Sequence, residues 1–293
     1  MVILNVLADS SDCFLTVDPM DPLFFIAYAA LGCVAGFAAG LLGIGGGMLL
    51  VPFLTALLTA QGLPLDLVVH AAIATSMASI LFTSMSSVRA HHKRGAVRWD
   101  LVTSFSPGIV IGGLLAGGAV FAALKTGWLA LIFAVFVGYS AIQMLINRKP
   151  KPSRQMPGAI GTATAGVGIG FLSGLVGAGG GFVSVPFMLW CNVALHQAVA
   201  TSAALGFPIA LANTIGYIYS GMSVQDLPDG MVGYVYWPAL IVLVIFSVIL
   251  APVGAKAAHA LPVATLKRIF AFLLFGLSTY MLYKSGLSFG WIG

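Results

Sequence analysis

The sequence has no glutamate. Its eight aspartates are Asp9, Asp12, Asp18 and Asp21 near the start, Asp66, Asp226 and Asp229 in short polar stretches, and Asp100 at the edge of an apolar one. This inventory excludes a proton relay built on a mid-membrane carboxylate, and with it an intramembrane aspartyl or zinc protease. Charge of either sign is scarce, at 7% of 293 residues against roughly 25% in an average soluble domain. A water-facing surface needs far more, so most of the surface faces lipid. Cys13, Cys33 and Cys191 lie far apart, with no C-x-x-C or Cys/His cluster, so neither a disulfide framework nor a metal site is expected. No cofactor is expected either. Thirteen basic residues spread over so apolar a chain form no phosphate-binding stripe, and nucleic acid is excluded as a partner. The ATP-binding pattern G-x-x-x-x-G-K-[ST] is missing, so ATP-driven transport would need a separate subunit.

What fills the chain is 60% hydrophobic residues and 36 glycines. Breaks at charged, proline and glycine clusters leave ten apolar segments. The first five are A (Pro22 to Leu42), B (Gly47 to Ala60), C (Leu67 to Val88), D (Leu101 to Ala123) and E (Gly127 to Ile146). The second five are A′ (Gly158 to Val176), B′ (Gly181 to Asn192), C′ (Ala198 to Ser220), D′ (Val232 to Val253) and E′ (Ala264 to Tyr283). Eight are long enough to cross a hydrocarbon core of about 30 Å, whereas B and B′ reach only about 21 and 18 Å as helices. The expected fold is an all-α polytopic membrane protein. Its parts are an acidic extracytoplasmic tail (1–21), a first membrane repeat (22–147), a basic cytoplasmic linker (148–157), a second membrane repeat (158–285) and a C-terminal tail (286–293). The tail has no Lys or Arg, the opposite of a signal peptide's basic start.

The two sets are copies. Gly40-Leu-Leu-Gly43-Ile-Gly45-Gly46-Gly47, followed by Val51-Pro52-Phe53, recurs 134 residues later as Gly174-Leu-Val-Gly177-Ala-Gly179-Gly180-Gly181, followed by Val185-Pro186-Phe187. His70-Ala-Ala-Ile-Ala-Thr75-Ser76 recurs as His196-Gln-Ala-Val-Ala-Thr201-Ser202, and Ile132-Phe133-Ala134 as Ile269-Phe270-Ala271. Ordered matches of this kind mark an internal repeat. An odd number of crossings per set, from an extracytoplasmic N-terminus, puts 11 of the 13 basic residues inside and leaves Lys125 and Lys284 outside. An even number scores 9 of 13, so the odd count is preferred. It inverts the second copy relative to the first and places both termini outside. A and B then either both cross or form a re-entrant hairpin together.

Three glycines in a row each cost a helix about 1 kcal/mol relative to alanine, so the backbone is expected to break there. Irregular backbone at membrane depth survives only where protein buries it or a cavity adjoins it. B and B′ begin at these breaks, and a helix N-terminus offers unpaired N–H groups and a positive dipole end to an anion. Gly45, Gly46, Gly47, Gly179, Gly180 and Gly181 are therefore candidate substrate ligands. The scattered Gly32, Gly36, Gly40, Gly112, Gly113, Gly117 and Gly118 are read instead as close-packing positions.

The pattern G-[LI]-[LV]-G-x-G-G-G-x4-P-F, present twice with an Ala-Thr-Ser after each copy, resembles the TauE/SafE family of sulfite and organosulfonate exporters. The resemblance covers nearly the whole chain. It implies a bacterial-type carrier in the cell (inner) membrane for small sulfur-containing anions such as sulfite or a C2 sulfonate.

Segments C and C′ carry the densest hydroxyl content, and Thr75, Ser79 and Thr83 form one i, i+4 row expected to face one cavity. Hydroxyls hold an oxyanion without a buried charge, which suits a cargo that must leave again. Thr75, Ser76, Thr201 and Ser202, repeated in both halves, join the candidates, as does Asn213, a polar amide near the middle of C′. Tyr217 and Tyr219 are read as part of an interfacial aromatic belt. For proton coupling the candidates are His70 and His196, and sodium is the other coupling ion considered. The expected function is a secondary transporter of small anions working by alternating access, not an enzyme. The alternative is a membrane enzyme or a structural subunit of a membrane complex, for which Cys191 and His196 are the best available catalytic pair.

Overall fold

The computed structural model describes residues 21–42, 46–146, 154–257 and 263–291. With no water at membrane depth to satisfy the backbone, long uncharged runs close their own hydrogen bonds as helices. Among the described residues these are α1 (Pro22–Leu42), α2 (Gly47–Ala60), α3 (Val68–His92), α4 (Trp99–Ala123), α5 (Thr126–Ile146), α6 (Ala159–Val176), α7 (Gly181–Trp190), α8 (Leu195–Gly221), α9 (Trp237–Ala257) and α10 (Val263–Phe289). All but α2 and α7 are long and apolar enough to cross a membrane, so the chain is a multi-pass, all-α membrane protein.

The helix boundaries lie within four residues of the segment reading except at the start of D′ and the end of E′, and one helix carries an internal irregularity. D′ does not begin as a helix at Val232. Gly230 and Gly233 have positive φ, and the chain turns there into a two-stranded hairpin, β1 (Met231–Val232) with β2 (Val235–Tyr236), before α9 starts. A Cβ on Gly233 would run into the Ile218 carbonyl, so only glycine lets the hairpin sit on α8. The helix of E′ runs on through Phe289, beyond the expected end of the second repeat at 285. Inside α4, residues Ala116–Val120 widen into a π-turn where Gly117 and Gly216 bring α4 and α8 backbones together. Most of the acidic tail, Gly45, residues 148–153 of the linker and residues 292–293 lie outside the described residues.

Each glycine-started helix turns back towards the start of the helix before it. Gly46 sits against Ala35 and Ala39 of α1, and at the far end of α2 the Tyr28 hydroxyl donates to Gln61 Oε1 at 2.5 Å. In the second set Gly180 sits against Ile169 and Ser173 of α6, and the Arg154 amide donates to Trp190 O at 3.3 Å. The pairs α1–α2 and α6–α7 are therefore hairpins.

The two sets interlock. α1 packs along α9 in the same direction, Gly32 against Leu243 and Gly36 against Ser247. α6 packs along α4 in the same way, Gly166 against Phe105 and Gly170 against Ile109. In both cases a Cβ would meet the facing backbone, the close approach that small residues permit in membranes. α5 and α10 pair in opposite directions, with Ser285 donating to Gly127 O at 3.0 Å and Ser278 to Ala134 O at 2.7 Å. α3 and α8 lie against each other at the centre, and α3 is buried on all sides over its first half.

Candidate functional site

Both glycine breaks adopt the conformation that requires glycine. Gly46 (φ 66°) caps α2 and Gly180 (φ 75°) caps α7, each in the left-handed region. The first intrahelical acceptors are Gly46 O, bonded by Leu49 and Leu50, and Gly180 O, bonded by Val183 and Ser184. This leaves the opening amides of each helix without an acceptor of their own helix. The breaks meet at the centre. The Ser76 hydroxyl lies 3.3 Å from both Gly47 O and Gly177 O, and a Cβ on Gly47 would collide with the Gly177 carbonyl. Ser202, the repeat of Ser76, is equally buried and shares a hydrogen bond of 2.8 Å with Ser184.

Beside the second break is a cavity of about 20 Å³, room for about one water. Gly179, Ser202 and Gly206 face it from one side, Thr83, Ser84 and Ser87 from α3. Among the described residues of its wall none is charged. Of the expected ligands, Gly179 and Ser202 thus reach the cavity, and Ser76 and Gly47 adjoin the same junction.

Thr75 and Thr201 do something else. The Thr75 hydroxyl accepts the Tyr236 amide at 3.0 Å, and the Thr201 hydroxyl accepts the Arg98 amide at 3.1 Å. Each central helix therefore holds the start of the other set's fourth helix. The expected Thr75–Ser79–Thr83 row does not face one space. Ser79 donates to Ser76 O because α3 is enclosed by protein rather than presenting one polar face. Tyr217 is not in an interfacial belt: it is fully buried and donates to Gly174 O. Asn213, also fully buried, donates to Ile209 O at 2.8 Å and Gly170 O at 3.4 Å, between α4, α6 and α8.

The two histidines part company. His196 is exposed at the start of α8. His70 is buried in a cage of main-chain oxygens, Nε2 lying 3.0 Å from Leu124 O and 3.3 Å from Phe121 O, and Nδ1 3.2 Å from Asp66 O and 3.3 Å from the Thr126 hydroxyl. Its ring stacks on Tyr234. The cage binds the α4–α5 corner to α3. The alternative nucleophile fares worse: burial pushes the Cys191 thiol up, only partly offset by Arg154, whereas a reactive cysteine has a lowered pKa.

Three features escaped the sequence reading. Ser173 and Ser184 belong to the second break, where the first has Ala39 and Leu50. The fourth helices of both sets open on Val-x-Trp, Val97-Arg98-Trp99 and Val235-Tyr236-Trp237, 138 residues apart. That match, too short to weigh alone, marks the two amides that Thr201 and Thr75 hold.

A family model described as "Sulfite exporter TauE/SafE" matches residues 28–281. A "Probable membrane transporter protein" of Haemophilus influenzae is 33% identical over 89% of this chain and 99% of its own length. The "Probable membrane transporter protein YdhB" of Bacillus subtilis is 27% identical over 84% and 93%. One of the same description from Methanocaldococcus jannaschii is 30% identical over 77% and 83%. No solved structure matches the chain.

Proposed function

The chain belongs to the TauE/SafE family and is a membrane transporter, and from that premise we propose that its cargo is a small anion, of the sulfur oxyanion or organosulfonate class, carried by alternating access between two inverted halves. The observation that carries this reading is the junction of two glycine-capped helix N-termini beside a cavity with hydroxyls in its wall and, among the described residues, no charged side chain there. Helix N-termini and hydroxyls attract an oxyanion without holding it permanently.

Support for inversion comes from the directions of the helices. Tyr236, just ahead of α9, meets α3 at Thr75, and Trp99, at the start of α4, meets it at His92. These contacts are 17 residues apart along α3, about 25 Å, so α4 and α9 start at opposite ends. α1 shares the direction of α9, and α6 that of α4, so α1 and α6 oppose each other. The cavity is too small for a sulfonate as it stands, in keeping with a cycle that must open it.

His70 is the proposed proton-coupling group. A neutral imidazole has one N–H and donates on one side of its carbonyl cage, whereas the imidazolium donates on both.

The test is flux in proteoliposomes, with labelled sulfite, sulfate and a C2 sulfonate, with and without an imposed proton or sodium gradient. Saturable movement of one of these, weakened in Ser202→Ala, is expected. Folded protein that moves none of them overturns the cargo assignment.

A further inference from the structure

The cavity has an unopened twin. In the repeat, Ala39 and Gly40 of its wall correspond to Ser173 and Gly174, Ser87 to Asn213, and Ala251 to Gly113. These counterparts also lie together. A Cβ on Gly113 would be 2.9 Å from Asn213 Nδ2, and one on Gly174 would overlap Asn213 Oδ1. The amide of Asn213 thus fills the space that the shorter Ser87 leaves empty on the other side.

The filling is imperfect. Among the described residues, four buried side-chain polar atoms have no hydrogen-bond partner, and two of them are Ser173 Oγ and Asn213 Oδ1. Ser173 and Asn213 are at least 97% buried, with relative exposures of 3% and 0%. Ser173 Oγ also lies 3.1 Å from where a Cβ of Gly180 would be, at the N-terminus of α7. Buried polar groups are normally paired; here the Ser173 O–H is a donor without an acceptor and Asn213 Oδ1 an acceptor without a donor, so the closed packing satisfies neither.

We infer that Ser173, Gly174 and Asn213 form a second oxyanion compartment, related to the first by the repeat, and that the Asn213 side chain is its plug. This rests on the transport reading above and deepens it: the first compartment lies toward the basic end of α3, the second toward the opposite end of α8. When Asn213 swings out, its amide N–H and the Ser173 O–H become donors to an anion passing the α7 N-terminus.

The test uses thiol labelling in nanodiscs, where both faces are accessible, in full-length protein with Cys13, Cys33 and Cys191 replaced by serine. Ser173→Cys should react slowly with a small anionic methanethiosulfonate, and about tenfold faster once Asn213→Ser shifts the plug toward open. Ser84→Cys, in the wall of the first compartment, should react alike in both backgrounds. Sulfate or a C2 sulfonate should slow the reaction at Ser173→Cys. If Asn213→Ser does not fold, Asn213→Ala serves. Unchanged reactivity at Ser173→Cys, with Ser84→Cys labelled as before, overturns the plug, as does rapid labelling with Asn213 in place. Lack of protection by both anions overturns the oxyanion assignment. Labelling that responds as expected in a protein that moves no anion leaves the compartment standing and removes the transport reading instead.

Discussion

Thr201 takes the Arg98 amide on its hydroxyl at 3.1 Å, so α8 holds the start of α4, and Thr75 holds the start of α9 through Tyr236 at 3.0 Å. The amides at the start of a helix have no intrahelical acceptor, and an unsatisfied one in a buried setting costs about 1–3 kcal/mol. Thr75→Val, which strands the buried Tyr236 amide, should lower stability by about that amount, and Thr201→Val by less, because the Arg98 amide is only part-buried, with serine restoring most of each loss. Thermal unfolding of the purified protein checks this. Equal stability in the valine and serine variants would show that the hydroxyls do not hold these helices.

The glycines of the breaks and those on the helix faces should separate in the same assay. Gly46→Ala and Gly180→Ala place a side chain at positive φ, costing roughly 1–2 kcal/mol, and the added Cβ meets Ala35 O in one case and Ile209 in the other. Gly168→Ala in α6 meets nothing within 4 Å and should be neutral or stabilising, by up to about 1 kcal/mol.

The two histidines should also differ. Replacing the exposed His196 with asparagine should leave transport and its pH dependence unchanged. His70→Gln keeps a donor for Leu124 O but cannot carry a proton, so transport should persist without its response to an imposed proton gradient. His70→Phe removes the donor as well, and should lower the melting temperature. A proton response that survives in His70→Gln would move the coupling elsewhere.

Cys191→Ser should leave transport intact, because a thiol pushed up by burial supplies little thiolate at neutral pH. Loss of activity in a folded Cys191→Ser protein would favour the enzyme reading.

Much of this architecture is legible without coordinates. The bounds of α1 and α2 are those of segments A and B, because uncharged runs ended by glycine clusters have one way to satisfy their backbone in lipid. Packing glycines are legible in part: Gly32, Gly36 and Gly112 lie where neighbouring backbones come within reach of a Cβ, whereas a Cβ on Gly118, expected to pack in the same way, would meet nothing within 4 Å. The roles of the hydroxyls are not. Thr75 and Ser76 are adjacent and equally repeated, yet one ties down Tyr236 and the other bridges Gly47 and Gly177.

The sequence by itself determined that the chain lives in a bilayer, that it repeats, and that its backbone breaks at two glycine triplets. Those follow from composition and local conformational cost, which act within a few residues. The tertiary structure decided which polar groups meet. It set Ser202 against Ser184, Asn213 between Gly113 and Gly174, and His70 inside three carbonyls. In a chain with so few charges those encounters depend on how the helices cross, and the crossings between the two halves are fixed by close backbone contacts between residues far apart in sequence, from 61 positions for Gly166 and Phe105 to 211 for Gly32 and Leu243.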